Sequence, residues 1–246
     1  MKPDLQNGGD IKSLKRQSRI AALLYFVNGL PAPFALLYVP SVLIVRGNAT
    51  ATANNVRDSE TLLRLGIAGE LFSSTVVIFA VLAFYSLFKA VSAKHARAML
   101  VLMLISVPIS YLNLLNDLAA VTFARGPEFL SSLTQSQRDA FVLFFLRLHN
   151  QGLALAQIFW GLWLFPFGIA VIRSGFIPRF VGIAVMIAGF GYVISSSVFL
   201  FLPASAQSFG QLAQILGVGE LAFFWLLIWG AKDQGLARRA ITTEAG

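Results

Sequence analysis

Five ionisable residues interrupt long apolar runs of the chain: Glu70, Asp117, Arg147, His149 and Glu220. A charge placed in hydrocarbon costs at least a few kcal/mol, so such groups point inward, take partners and commonly mark a ligand or proton path. Buried carboxylates exchange protons or hold a cation, and a guanidinium grips an anionic head group with two parallel hydrogen bonds. Carboxylates beside His149 also suit general acid–base work, or a carboxylate-rich metal site with one imidazole. The metal version is thin. Only two histidines are present, and His95 falls in a loop. The HExxH helix, the Walker and dinucleotide glycine loops and the GxSxG elbow are all missing. No metal and no cofactor are expected.

Their depth is shared. Glu70 and Glu220 lie about eight residues from one end of their runs, and Asp117, Arg147 and His149 lie seven to nine from the corresponding end. At ~1.5 Å per residue, all five fall roughly 10–14 Å below one surface. In the third run, Ser106, Ser110, Asn113 and Asp117 follow a four-three-four spacing that stacks them on one helix face, with Asn116 alongside. Ser73 and Ser74 share a face with Glu70, Asn150 and Gln151 with Arg147, and the fifth run adds Tyr192, Ser195 and Ser196. The pattern predicts a polar, outward-facing chamber formed by Glu70, Asp117, Arg147, His149, Glu220, Asn113 and Asn150. Its occupant would be a small polar or lipid-derived ligand, bound or translocated. Two other readings stay open. One is a membrane-embedded hydrolase or isomerase using the same carboxylates and His149. The other is a structural subunit whose buried charges only fix helix register, with Arg64, Arg147 and a protonated His149 balancing the three acids. In that case Arg147 pairs with Asp117 or Glu70.

The elements that must hold these groups follow from composition. Of 246 residues, 57% are hydrophobic and 12% charged, and the mean hydropathy is +0.74. A soluble domain carries about 25% charge, so this chain lacks the polar surface to face water. With no cysteine, disulfide scaffolds, thiolate catalysis and thiol-linked lipid anchors are excluded. Six runs reach the ~20 apolar residues that cross a bilayer: 20–45, 62–88, 98–124, 140–172, 180–202 and 212–231. The expectation is an all-α, polytopic six-helix transmembrane bundle. A basic tail (1–19) precedes the single transmembrane domain (20–231), and a second tail (232–246) follows. Pro31 and Pro33 should break the first helix, and Pro108 and Pro166 should bend the third and fourth. Apolar character persists too far beyond Arg19 for a cleaved signal peptide. The loops at about 46–61 and 125–139 are too short to fold separately.

Orientation follows from Lys and Arg. The N-terminal tail has five, the 89–97 loop three, the 173–179 loop two and the C-terminal tail three, thirteen in all on one side. Arg46, Arg57, Arg125 and Arg138 make four on the other. That asymmetry puts both termini in the cytoplasm of an inner-membrane protein. The formal charge of +8 is spread through these clusters. No basic face with interleaved aromatics is formed, so nucleic acid is not an expected partner. The bilayer is the expected partner, and a homo-oligomer stays open. Gly189, Gly191, Gly217 and Gly219 suit close helix packing.

The stretch Arg173-Ser-Gly-Phe-Ile-Pro-Arg-Phe-Val-Gly182 resembles the bacterial domain-of-unknown-function family 4386. The resemblance extends to Ile20-Ala-Ala-Leu-Leu-Tyr25, to Leu63-Arg-Leu-Gly-Ile67 before Glu70, to Leu148-His149 with Gly152, and to Gly219-Glu220-Leu-Ala before Trp225. It covers about 20–232 and implies a multi-helix membrane protein, with an acid at Glu70, His149 and Glu220 as typical features. It implies no reaction.

Overall fold

A computed structural model describes residues 4–202 and 218–231, and every regular element among them is helical. In order these are α1 (Asp4–Gly29), a π-helical segment (Pro33–Tyr38), α2 (Val39–Leu43), α3 (Ala49–Asp58), α4 (Glu60–Phe88) and α5 (Ala93–Arg125). Then come α6 (Gln135–Leu162), α7 (Leu164–Ser174), α8 (Arg179–Phe201) and α9 (Ala222–Trp229), with 3-10 turns at Glu128–Leu130 and Val218–Leu221.

Among the described residues, five stretches are long and apolar enough to cross a membrane: Lys12–Leu43, Glu60–Phe88, Ala93–Arg125, Gln135–Ser174 and Arg179–Phe201. They coincide with the first five apolar runs of the sequence. Of the sixth run, Gly219–Trp229 is a shorter apolar helix; its start at 212–217 and the tail at 232–246 lie outside the described residues. The outward faces carry large apolar side chains, such as Leu112 (67% exposed), Leu115 (58%), Phe79 (56%) and Phe190 (56%). Lipid tolerates that surface, and water penalises it.

The helices are interrupted near Pro31 and just before Pro166, but not at Pro108. Helix α1 ends at Gly29, Leu30 and Pro31 form a turn, and the chain re-enters a wider π-helical winding at Pro33. A break leaves backbone carbonyls unpaired, which lipid cannot hydrate. The Ser73 hydroxyl of α4 meets part of that need by donating to the Asn28 carbonyl at 2.7 Å. Pro166 has no N–H for the carbonyl one turn back, and a turn at Trp163 separates α6 from α7. Helix α5 is continuous through Pro108.

The chain divides into two compact units whose boundaries fall inside helices: 1–27, 76–106 and 157–246 form one, and 28–75 with 107–156 the other. In the first, α7 turns into α8 through Gly175, which has a left-handed φ of 70° at the helix C-cap. The hairpin is symmetric about that glycine. Gly168 faces Gly182 and Gly161 faces Gly189, and a Cβ on any of the four would fall 2.6–2.8 Å from the opposite carbonyl oxygen. Close backbone approach through small residues is how apolar helices associate where the hydrophobic effect is absent. Tyr25, Phe84, Trp163, Phe167 and Phe223 form an aromatic cluster in the same unit, with centroid separations from 4.2 to 6.3 Å.

The second unit contains an element the sequence reading did not anticipate. Residues expected as loop form α3, capped by Asn48, whose side chain accepts from the Ala51 amide at 2.9 Å. Its buried Ala53 and Val56 join a core of Val39, Leu43, Leu63, Val121, Val142 and Leu146. Ion pairs tie the helix ends: Arg57 to Asp139 at 3.0 Å, and Glu60 to both Arg64 and Arg125 at 2.6 Å.

Candidate functional site

Three helices of the second unit converge on one buried imidazole. Helix α6 buries Val142, Leu146 and His149 at four- and three-residue spacing. Helix α5 presents Asn113 and Asp117 one turn apart, both buried, and α4 presents a half-buried Glu70. His149 Nδ1 lies 3.0 Å from Asp117 Oδ2, and Nε2 lies 3.5 Å from Glu70 Oε1. Each nitrogen of the ring thus meets a carboxylate. The Asn113 amide donates to the His149 carbonyl at 2.9 Å and lies 3.3 Å from Nδ1, and Asn116 donates to Asn113 Oδ1 at 3.0 Å.

Small residues make this approach possible. A Cβ on Gly152, three residues after His149, would come within 2.0 Å of Asn113 Oδ1. On α4, Gly69 lies against Pro31, and Gly66 against Val39. The broken first span is thereby brought beside Glu70.

A cavity of about 30 Å³ opens at the cluster, with Glu70, Asp117, His149 and Asn150 in its wall. The rest of the wall is apolar, including Val39, Leu43 and Leu63. A water needs roughly 10–15 Å³ measured in this way, so the space suits an ion with one or two waters. One donor atom from each of Glu70, Asp117 and His149 lies within 4.8 Å of the other two. Chemically, the array can hold a cation or pass a proton between two carboxylates through the imidazole.

The cations expected to balance these acids are elsewhere. Arg64 is exposed and paired with Glu60. Arg147 is exposed and makes no ion pair among the described residues, so the expected bridge to Asp117 or Glu70 is not formed. The reason is rotational. Arg147 and His149 are two residues apart, about 200° around the helix, and the buried stripe takes His149. The imidazole occupies the place foreseen for the guanidinium.

Glu220 belongs to the first unit and has its own partners. Tyr25 donates to its Oε1 at 3.1 Å, and the Tyr192 hydroxyl is hydrogen-bonded to the same carboxylate. Tyr25 was not among the expected site residues, although it closes the Ile20–Tyr25 motif; a neutral phenol carries no charge to mark it out within an apolar run. In the serine-rich stripe, Ser106 donates to the Met103 carbonyl of its own helix at 2.7 Å, and Ser196 to Gln157 at 3.3 Å. Both serve packing.

The family described as "Domain of unknown function (DUF4386)" matches residues 20–230. An "Uncharacterized protein" of Archaeoglobus fulgidus is 37% identical over 81 residues, which is 32% of this chain and 47% of that protein. The aligned stretch therefore spans about half the length of that curated relative. No solved structure matches.

Proposed function

Because the chain belongs to the family of domain of unknown function 4386, whose description carries no activity, we propose its function from its own geometry. It is a multi-pass membrane protein that binds a small polar or ionic ligand in the pocket around Glu70, Asp117 and His149. One observation carries this reading. Two carboxylates and an imidazole, all ionisable and at most half-exposed, share the wall of one small cavity with no Lys or Arg as counter-ion among the described residues. Groups that only fixed helix register would fill their space; here three ionisable side chains border a hole. The cavity size favours an ionic or very small polar occupant over a lipid-derived one. Asn113 orients the imidazole, and Asn150 adds a polar wall. Glu220, held by Tyr25 and Tyr192, and Arg147 are proposed as further ligand-binding residues.

The membrane assignment is completed by the sixth apolar run, 212–231, as a sixth span. The excess of Lys and Arg on one side supports an orientation with both termini in the cytoplasm of an inner membrane.

The test is a melting experiment on purified protein in detergent, with sodium, potassium, ammonium, manganese and acetate salts and glycerol as separate probes. A ligand raises stability as the logarithm of one plus its concentration over Kd, about 2.7 kcal/mol at a hundredfold excess over Kd. At least one probe should raise the melting temperature of the native protein and leave Glu70→Gln and Asp117→Asn unmoved. If no probe shifts the native protein, and the two variants merely melt earlier, the charges are structural and the proposal fails.

A further inference from the structure

We infer that the Glu70–Asp117–His149 cluster is a binding site for one divalent transition-metal cation, manganese, iron or zinc in type. This rests on the reading of that pocket as a ligand site and names the ligand class.

The donor set carries the inference. Two carboxylates and one imidazole come from three different helices, α4, α5 and α6, and their donor atoms already lie within 4.8 Å of one another. Ligands ~2.0–2.2 Å from a common ion sit roughly 3–3.6 Å apart. The 3.0 Å contact of His149 Nδ1 with Asp117 matches that spacing; Glu70 contacts the other nitrogen, Nε2, at 3.5 Å, so an ion on Nδ1 requires the Glu70 carboxylate to rotate toward Asp117. Alkali ions and magnesium prefer oxygen alone, and copper(I) prefers sulfur, which no cysteine here supplies. A mixed nitrogen–oxygen set suits iron and zinc through the imidazole and manganese through the two carboxylates.

Charge and space agree with this choice. Two carboxylates match a dication, which neutralises the site without a Lys or Arg, and none pairs with them among the described residues. The cavity of about 30 Å³ holds an ion and one or two waters, and nothing the size of a head group. An imidazole offers an ion one nitrogen, and the other stays hydrogen-bonded and fixes the ring. The Asn113 amide, which donates to the His149 carbonyl at 2.9 Å, holds that residue from the α5 side. Gly152 allows that amide its position.

The decisive experiment titrates manganese(II) chloride into tag-free protein in detergent, followed by electron paramagnetic resonance. One ion per chain should bind, and the native complex should show electron spin-echo modulation from a single directly bound imidazole nitrogen. His95→Gln should keep that modulation. Zinc should displace manganese, and magnesium at the same concentration should not. Glu70→Gln, Asp117→Asn and His149→Gln should each weaken binding at least tenfold. The native spectrum stands even if a variant fails to fold. Absence of stoichiometric binding, or manganese bound without nitrogen coupling, overturns the inference. So does a His149→Gln protein that binds as tightly as the native one. In those cases, a melting shift by ammonium, acetate or glycerol that Glu70→Gln abolishes would leave the broader ligand-binding proposal standing, whereas no shift by any probe would remove both.

Discussion

At the scale of single residues, the site depends on one missing methyl group. Gly152 lets the Asn113 amide lie where an alanine Cβ would stand 2.0 Å from its oxygen. Asn113 cannot simply swing aside, because it donates to the His149 carbonyl and accepts from Asn116. Gly152→Ala should therefore destabilise the protein by about 1–3 kcal/mol, the usual range for overpacking. Asn113→Ala removes the obstruction, so adding Gly152→Ala to it should cost little more, a non-additivity that a double-mutant cycle in thermal unfolding reads directly. Additive losses would mean that the two side chains do not compete for space. This scale also shows what the sequence could convey. Glu70, Asp117 and His149 stood out because charge in an apolar run has few innocent explanations. Which of Arg147 and His149 turns inward was decided by the Val142–Leu146–His149 stripe, and the polarity of either residue said nothing about it. Tyr25 gave no such contrast against its neighbours.

At the scale of elements, the spans are shaped by where the backbone is interrupted and where it is bare. The break at Leu30–Pro31 relies on Ser73, whose hydroxyl is the side-chain donor seen at the Asn28 carbonyl. Ser73→Ala should cost about 0.5–1.5 kcal/mol, the net worth of one such hydrogen bond, and Ser73→Thr, which keeps the hydroxyl, should cost less. Equal losses in urea or thermal unfolding would argue that volume at this position matters more than the bond. The α7–α8 hairpin makes a stronger demand. Gly168 and Gly182 each face the other's carbonyl at 2.6 Å from an added Cβ, and rigid backbone cannot yield as a side-chain tip does. Gly182→Ala should lower the melting temperature more than Ser73→Ala, with about 1–3 kcal/mol of overpacking strain. Pro108 breaks no helix, whereas the interruptions at Pro31 and ahead of Pro166 were readable because Pro lacks a donor. Helix α3 was not, since its Ala, Thr and Asn residues look like loop until Ala53 and Val56 find Leu43 and Val142 beneath them.

At the scale of the whole molecule, the proposed orientation rests on numbers of Lys and Arg, which act during insertion whatever the folded protein later does with them. Arg57 and Arg125, two of the four on the sparse side, are held in ion pairs with Asp139 and Glu60, but the rule counts cationic residues and gives acids little weight. Thirteen against four is therefore the relevant contrast. The chain's lack of cysteine makes it testable without background. Ser131, exposed between α5 and α6, belongs to the sparse side, and Ala90, exposed between α4 and α5, to the rich side. On intact cells a membrane-impermeant maleimide should label Ser131→Cys at once and Ala90→Cys only after the membrane is opened. The reverse pattern would invert the protein, put Glu70, Asp117 and His149 nearer the cytoplasmic face, and make their cation one drawn from inside the cell. Helix length and hydropathy alone could never distinguish these two arrangements, because both bury the same apolar surface in the same lipid.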